Sequence, residues 1–312
     1  ILKGECNMHN SLLYLITVFI WGSTWLAIKF QLGVVSPELS VAYRFGLSAV
    51  ILLVFSLLRR LPLRFGWRAH AFMALQGLFL FSLNYILVYL AEGVLTSGLV
   101  AIIFSMIVIL NVVFGAIFLR NPVRINVVLG ALVGFAGLTL VFWPELSSFD
   151  FSGERALGVV LTFLGAASAS LGNIVSARNQ RHKLPVVQTN AFGMAYGALF
   201  MLILALFRGA QLAFDPSVGY VISLLYLAVF GSVIAFYTYL TLLGRIGPDR
   251  AADVTVLFPI IALLLSTLFE GMTWNLFQLA GVALVLLGNA VVLVKIRGVK
   301  SPNRIEGHST LR

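Results

Sequence analysis

Residues 95–119 read LTSGLVAIIFSMIVILNVVFGAIFL, a run without a single charged side chain. About 20 mostly apolar residues carry a helix across the hydrocarbon of a bilayer. The run is too long for a buried strand, and it lacks the dyad alternation of an outer-membrane barrel. It predicts a transmembrane helix. The same reading along the chain predicts spans at approximately 11–31, 39–58, 70–90, 95–119, 125–143, 157–178, 187–207, 218–242, 251–269 and 276–295. The expected fold is an all-α integral membrane protein of ten transmembrane helices.

Composition demands the same solvent. Of the 312 residues 60% are apolar and 10% are charged, with a mean hydropathy of +1.02. A water-soluble chain carries roughly a quarter charged residues. Too few charges remain here to cover a water-facing surface. The net charge of +10 sits in short loops between apolar runs, which argues for membrane orientation and against nucleic acid. A single cysteine, Cys6, excludes an intrachain disulfide and a cysteine-rich metal site, and the four histidines show no metal-ligand spacing. No metal or cofactor is expected. No Gly-rich nucleotide loop and no cluster of acid, base and nucleophile at one depth is present, so neither ATP-driven transport by this chain alone nor catalysis is expected. Residues 1–7 and 301–312 read as tails outside the fold.

The loops alternate in charge. One set holds Arg59, Arg60, Arg64 and Arg68, then Arg120 and Arg124, then Arg178, Arg181 and Lys183, then Arg245 and Arg250; both termini belong with it. The opposite set holds Arg155 and Arg208 beside Glu38, Glu92, Glu145, Asp150, Glu154, Asp215 and Glu270. Lys and Arg stay inside, so both termini are expected in the cytoplasm and the number of spans even. A bacterial-type inner membrane is the expected location.

Gly130-Ala-Leu-Val-Gly-Phe-Ala-Gly137 in the fifth span matches Gly281-Val-Ala-Leu-Val-Leu-Leu-Gly288 in the tenth. Pro37 and Pro185 precede the second and seventh spans, and polar faces with tyrosine follow Gly77 and Gly231 in the third and eighth. The nearly constant offset points to a duplication. Two units are expected, at 8–148 and 149–298. With five spans each, the second must enter the membrane upside down, an arrangement that places a transporter's substrate path between the units.

Polar and aromatic side chains within spans are expected to face a cavity or another helix. In the third span Gln76, Asn84 and Tyr85 lie close in angle, and Tyr89, four residues after Tyr85, shares its face. Asn84, Tyr85 and Tyr89 are candidates for substrate contact, against a packing reading. Trp21 and Trp25 lie away from the interfaces where tryptophan usually sits and are candidates for a flat wall. Ser168 and Asn173 in the sixth span, and Tyr237 and Tyr239 in the eighth, complete the set. Pro259 is expected to kink the ninth span. Lys29 and Arg44, near the non-cytoplasmic ends of the first two spans, either snorkel or bind a carboxylate. No acid or histidine reads as deep within a span apart from Asp253, at the cytoplasmic edge of the ninth; facilitated transport is therefore the expected energetics.

Trp21-Gly-Ser with Lys29, Pro37 with Arg44, Arg245-Ile-Gly-Pro-Asp-Arg-Ala251, Leu257-Phe-Pro259, Leu268-Phe-Glu270 and the Gly281 to Gly288 run, in this order over residues 8 to 298, resemble the EamA-like branch of the drug/metabolite transporter superfamily. The Gly77 to Tyr85 segment with Tyr89 is similar to the YddG-type amino-acid exporters. The resemblance implies efflux of aromatic and other neutral amino acids, or similar small metabolites, through a central cavity with the fifth and tenth spans peripheral. Asn121 stands where the family often carries Glu at the exit of the fourth span; Glu270 retains it in the second unit. The expected partners are a small-molecule substrate and the lipid bilayer. A homodimer stays open at this point. The alternatives are a drug or other metabolite carrier of the superfamily and, from another class, a non-transporting structural or lipid-handling membrane protein.

Overall fold

The computed structural model describes residues 2–120, 123, 125–141, 143, 153–246 and 254–293, and within them it contains helices and no strand. We number them α1 (Leu2–Lys29), α2 (Pro37–Leu58), α3 (Trp67–Glu92), α4 (Ser97–Leu119), α5 (Ile125–Val141), α6 (Glu154–Arg181), α7 (Val186–Phe207), α8 (Val218–Arg245), α9 (Val254–Phe269) and α10 (Leu276–Leu293). Among the described residues seven, α1 to α4 and α6 to α8, are long and apolar enough to cross a membrane. The apolar stretches of α5, α9 and α10 are shorter, and each of these helices adjoins residues outside those described. Asn121, Asp253 and residues 301–312 also lie outside them. Residues 2–7, expected as a tail, continue α1 as helix.

The bundle is apolar outside and partly polar inside. Leu58, Phe207 and Leu276 are exposed, while Thr17, Ser48, Gln76, Asn111 and Asn190 are buried. That is the distribution lipid imposes, because interhelical polar contacts must be made within the protein. Gln76, for example, donates to Asn190 on α7 and accepts from Asn179 on α6.

Small residues set the closest contacts. A Cβ on Gly137 would lie 2.6 Å from the Gly281 carbonyl oxygen, and one on Gly281 would lie 2.6 Å from that of Gly137. Gly288 in turn meets Gly130 and Gly134, so α5 and α10 run antiparallel along a glycine seam. The α2–α7 pair is antiparallel too: Arg208 pairs with Glu38, Gly46 faces Ala198, and Gln188 reaches the Pro62 carbonyl. The remaining packing shares a regularity. α1 lies against α8 and α9, and α6 against α3 and α4; α2 meets α8, and α7 meets α3. Exchanging α1–α5 with α6–α10 maps each of these pairs onto another.

Two helices depart from α geometry at matching places. α3 widens into a π turn over Phe79–Leu83, and α8 over Val229–Ile234. Such turns insert a residue into the ladder, re-phase the helix beyond them and are frequent at functional sites. Both lie beside the centre of the molecule, where α1, α3, α4, α6, α8 and α9 enclose a cavity.

Candidate functional site

Helical spacing builds the cavity wall. Trp21, Thr24, Trp25 and Ile28 lie at intervals that put them on one face of α1, and Leu80, Asn84, Tyr85 and Val88 do the same on α3. Ala169 and Asn173 of α6, Phe236 and Tyr239 of α8, Phe104 and Ile107 of α4, and Phe258 of α9 close the ring. The aromatic side chains support one another. Trp21 sits 4.7 Å from Tyr239 and 5.2 Å from Phe236, and Trp25 stacks on Phe258 at 5.7 Å, between ring centroids. The open space is ≈ 60 Å³, enough for a few waters. A metabolite needs the helices to part.

Each π turn offers a carbonyl to the helix beside it. Trp21 Nε1 donates to the Gly231 oxygen at 3.4 Å, and Ser168 Oγ donates to the Phe79 oxygen at 2.8 Å. Deeper in, Asn111 Oδ1 accepts from Ser170 Oγ at 2.8 Å and from Asn173 Nδ2 at 3.3 Å, while Asn173 also reaches the Tyr239 hydroxyl. Three buried polar atoms on cavity residues have no protein partner: Asn84 Oδ1, Asn173 Oδ1 and Trp25 Nε1. Two acceptors and one donor are thus unsatisfied around one space, in surroundings where each unmade bond is costly.

Of the residues singled out in the sequence, Trp21, Trp25, Asn84, Tyr85, Asn173 and Tyr239 meet at this cavity. Three do not. Ser168 is spent on the Phe79 carbonyl, Tyr89 is fully buried outside the cavity wall, and Tyr237 is 44% exposed. Pro259 is buried within α9, next to the cavity-lining Phe258. Leu80, Val88, Phe104, Ile107 and Ala169 were missed, because a plain apolar residue carries no mark of lining a cavity.

Lys29 and Arg44 part company. Arg44 is almost wholly buried; its Nε donates to Ser232 Oγ at 2.9 Å, its guanidinium lies 4.5 Å above the Tyr85 ring, and its Nη1 has no partner. It does not snorkel. Neither does Lys29, whose ammonium donates to the carbonyls of Glu92 at 2.5 Å and Leu95 at 2.7 Å and lies 3.6 Å from Glu270 Oε1.

The acids around Lys29 correct a premise. Glu92 reads in the sequence as a loop acid, yet it ends α3 fully buried. Ser97 opens α4 between Glu92 and Glu270: its Oγ lies 3.3 Å from Glu92 Oε2 and 3.2 Å from Glu270 Oε1, and its backbone N–H donates to Glu270 at 3.1 Å. Ser266 also donates to Glu270, at 2.5 Å. This cluster closes the cavity at the end poor in Lys and Arg, where a Cβ on Gly98 of α4 would come within 3.0 Å of Leu263 and Ser266 of α9. Glu92 stands at the end of its span, so among the described residues no acid is placed deep within one, but the acid is fully enclosed by protein and a buried carboxylate is present after all. Its position, seven residues after Tyr85, was the available signal, since that spacing keeps one helical face.

The sequence model of the EamA-like transporter family matches this chain twice, over residues 10–143 and 156–294. The uncharacterized inner membrane transporter YedA of Escherichia coli strain K12 is 29% identical over 281 residues, 89% of this chain and 87% of its own length. The uncharacterized transporter YvbV of Bacillus subtilis is 26% identical over 96% of each chain, and protein PagO of Salmonella typhimurium is 22% identical over 91% of this chain and 92% of its own. A solved crystal structure shares the fold with a TM-score of 0.68 at 20% identity, covering 91% of this chain and 96% of that one. Matched along both halves, this multi-pass membrane protein belongs to the EamA-like transporter family.

Proposed function

We propose that this chain exports aromatic and other neutral amino acids, or similar small metabolites, across a bacterial inner membrane. The units at 8–148 and 149–298 form two inverted repeats of five spans that alternate access to the cavity between them. The antiparallel run of α5 against α10 and of α2 against α7 supports inversion, because these are the sequence-matched pairs.

One observation carries the substrate reading: an aromatic cavity in which Asn84 Oδ1, Asn173 Oδ1 and Trp25 Nε1 stand unsatisfied. Two carbonyl acceptors suit an ammonium, an indole donor suits a carboxylate, and the aromatic wall suits an apolar side chain. Trp21, Tyr85 and Tyr239 complete the contact surface. The test is counterflow in proteoliposomes: vesicles loaded with unlabelled amino acid should accumulate labelled phenylalanine, tryptophan or leucine at equal pH on both sides. A purified, folded protein that exchanges no neutral amino acid, with or without a gradient, overturns the reading.

A further inference from the structure

We propose that Glu92, joined to Glu270 through Ser97 and faced by Lys29, is a proton-binding site, and that export is driven by exchange of an external proton for the substrate. The coupling half rests on the transport reading above; the site itself rests on the geometry of hydrogens and acceptors.

Ser97 Oγ has one hydrogen and lies 3.2–3.3 Å from three acceptors: the Trp25 carbonyl, Glu92 Oε2 and Glu270 Oε1. Glu270 is otherwise well provided, with the Ser97 N–H, the Ser266 hydroxyl and the Lys29 ammonium. Glu92 is not. Its Oε1 has no partner, its Oε2 has the shared hydroxyl alone, and among the described residues no cation lies within ion-pair distance of it. A fully buried carboxylate in that condition is short of one hydrogen. A proton on Glu92 supplies it: Glu92 then donates to Ser97 Oγ, which donates onward to Glu270.

The charged and titratable groups around it come from every neighbouring helix. Lys29 faces it from α1, Arg44 acts on it from α2, Tyr89 precedes it on α3 and Glu270 ends α9. Glu154 and Arg155, which open α6, are both exposed. Two cations, Lys29 and Arg44, stand against two carboxylates, with Arg44 and Glu92 buried and Lys29 and Glu270 partly exposed, so a proton taken up by Glu92 travels as net charge.

Location supplies the coupling. Val88 lines the cavity and Glu92 follows one turn later, while Trp25 presents its ring to the cavity and its carbonyl to Ser97. The site therefore sits between the cavity and the seal at Gly98. When α4 parts from α9, external water reaches Glu92 and the proton binds; the seal closes over the neutral acid. When the cavity opens to the other side the proton leaves through it, and substrate takes its place for the outward step.

Proteoliposomes of the full chain test this. With labelled substrate inside, acidifying the outside should speed efflux several-fold, with proton entry reported by an internal pH dye. In Glu92→Gln, counterflow should persist at a reduced rate while the ratio of efflux with the pH gradient to efflux without it falls to one. Ser97→Ala, which keeps both acids, should shift the external pH at which acceleration sets in. Counterflow with no response of the wild type to the gradient overturns the coupling and leaves the transport reading standing; a full gradient response in Glu92→Gln removes Glu92 from the site. An infrared titration of the protein without substrate decides proton binding by itself. A protonated-carboxyl band that titrates in the wild type and is missing in Glu92→Gln supports the site, and identical spectra overturn it.

Discussion

At the scale of single residues, the structure divides side chains that look alike in sequence. Tyr85 and Tyr237 are both midspan tyrosines; one lines the cavity under Arg44 and the other faces outward. The difference comes from position within the helix: Tyr237 lies two residues before Tyr239, so with Phe236 and Tyr239 turned inward it falls on the opposite face of α8. Periodicity alone says that Tyr237 and Tyr239 face opposite ways, and only the packed structure says which of the two faces the cavity. Trp21, Trp25 and Asn84 were legible because their polarity or bulk is out of place within a span. Asn84→Ala and Tyr85→Ala are expected to lower amino-acid transport about tenfold each, equivalent to roughly 1.4 kcal/mol of lost contact. Tyr237→Ala should stay within about twofold of the wild type, on the ordinary tolerance of outward-facing positions. The comparison is made in proteoliposomes carrying equal amounts of monodisperse protein. Unimpaired transport by both cavity variants would assign Asn84 and Tyr85 to packing.

Among the helices, the pairing of α2 with α7 is the feature that most directly tests inversion. Pro37 begins α2 and Pro185 caps α7, so these are corresponding elements by their own sequence punctuation. Their antiparallel run, Glu38 with Arg208 at one end and Pro62 with Gln188 at the other, places Gly46 against Ala198. A Cβ on Gly46 would stand 3.8 Å from that of Ala198, close to the spacing of a disulfide. With Cys6→Ser to remove the lone native thiol, Gly46→Cys combined with Ala198→Cys should cross-link under mild oxidation. The expected readout is loss of both thiols to a maleimide after oxidation and their return on reduction. Two thiols that stay reactive throughout would break the proposed pairing. The glycine motifs of α5 and α10 are visible in the sequence, and five spans per unit set them in opposite directions; that the two motifs pack against each other is not, since a repeated motif does not name its partner.

For the whole molecule, the asymmetry of charge and the asymmetry of chemistry have to agree. Arginines gather at the end marked by Arg59, Arg64 and Arg181, and the Lys29–Glu92–Glu270 cluster closes the opposite one. The proposed orientation keeps the first end in the cytoplasm, where arginine is favoured by the anionic leaflet and by the potential. In that orientation the acid cluster faces the outside, which is the side from which a proton descends its gradient in bacteria. Were the chain inserted the other way, Glu92 would meet the cytoplasm first and an inward proton would have to cross the cavity before reaching it. Orientation is therefore a condition for export by exchange as well as for topology. Arg64 and Gln211 are both exposed, in loops at opposite ends, and in a Cys6→Ser background each can be replaced by cysteine. An impermeant maleimide applied to intact cells should label Gln211→Cys at once, and Arg64→Cys after the membrane is opened. The reverse pattern would place the acid cluster in the cytoplasm and require the direction of coupled transport to reverse with it.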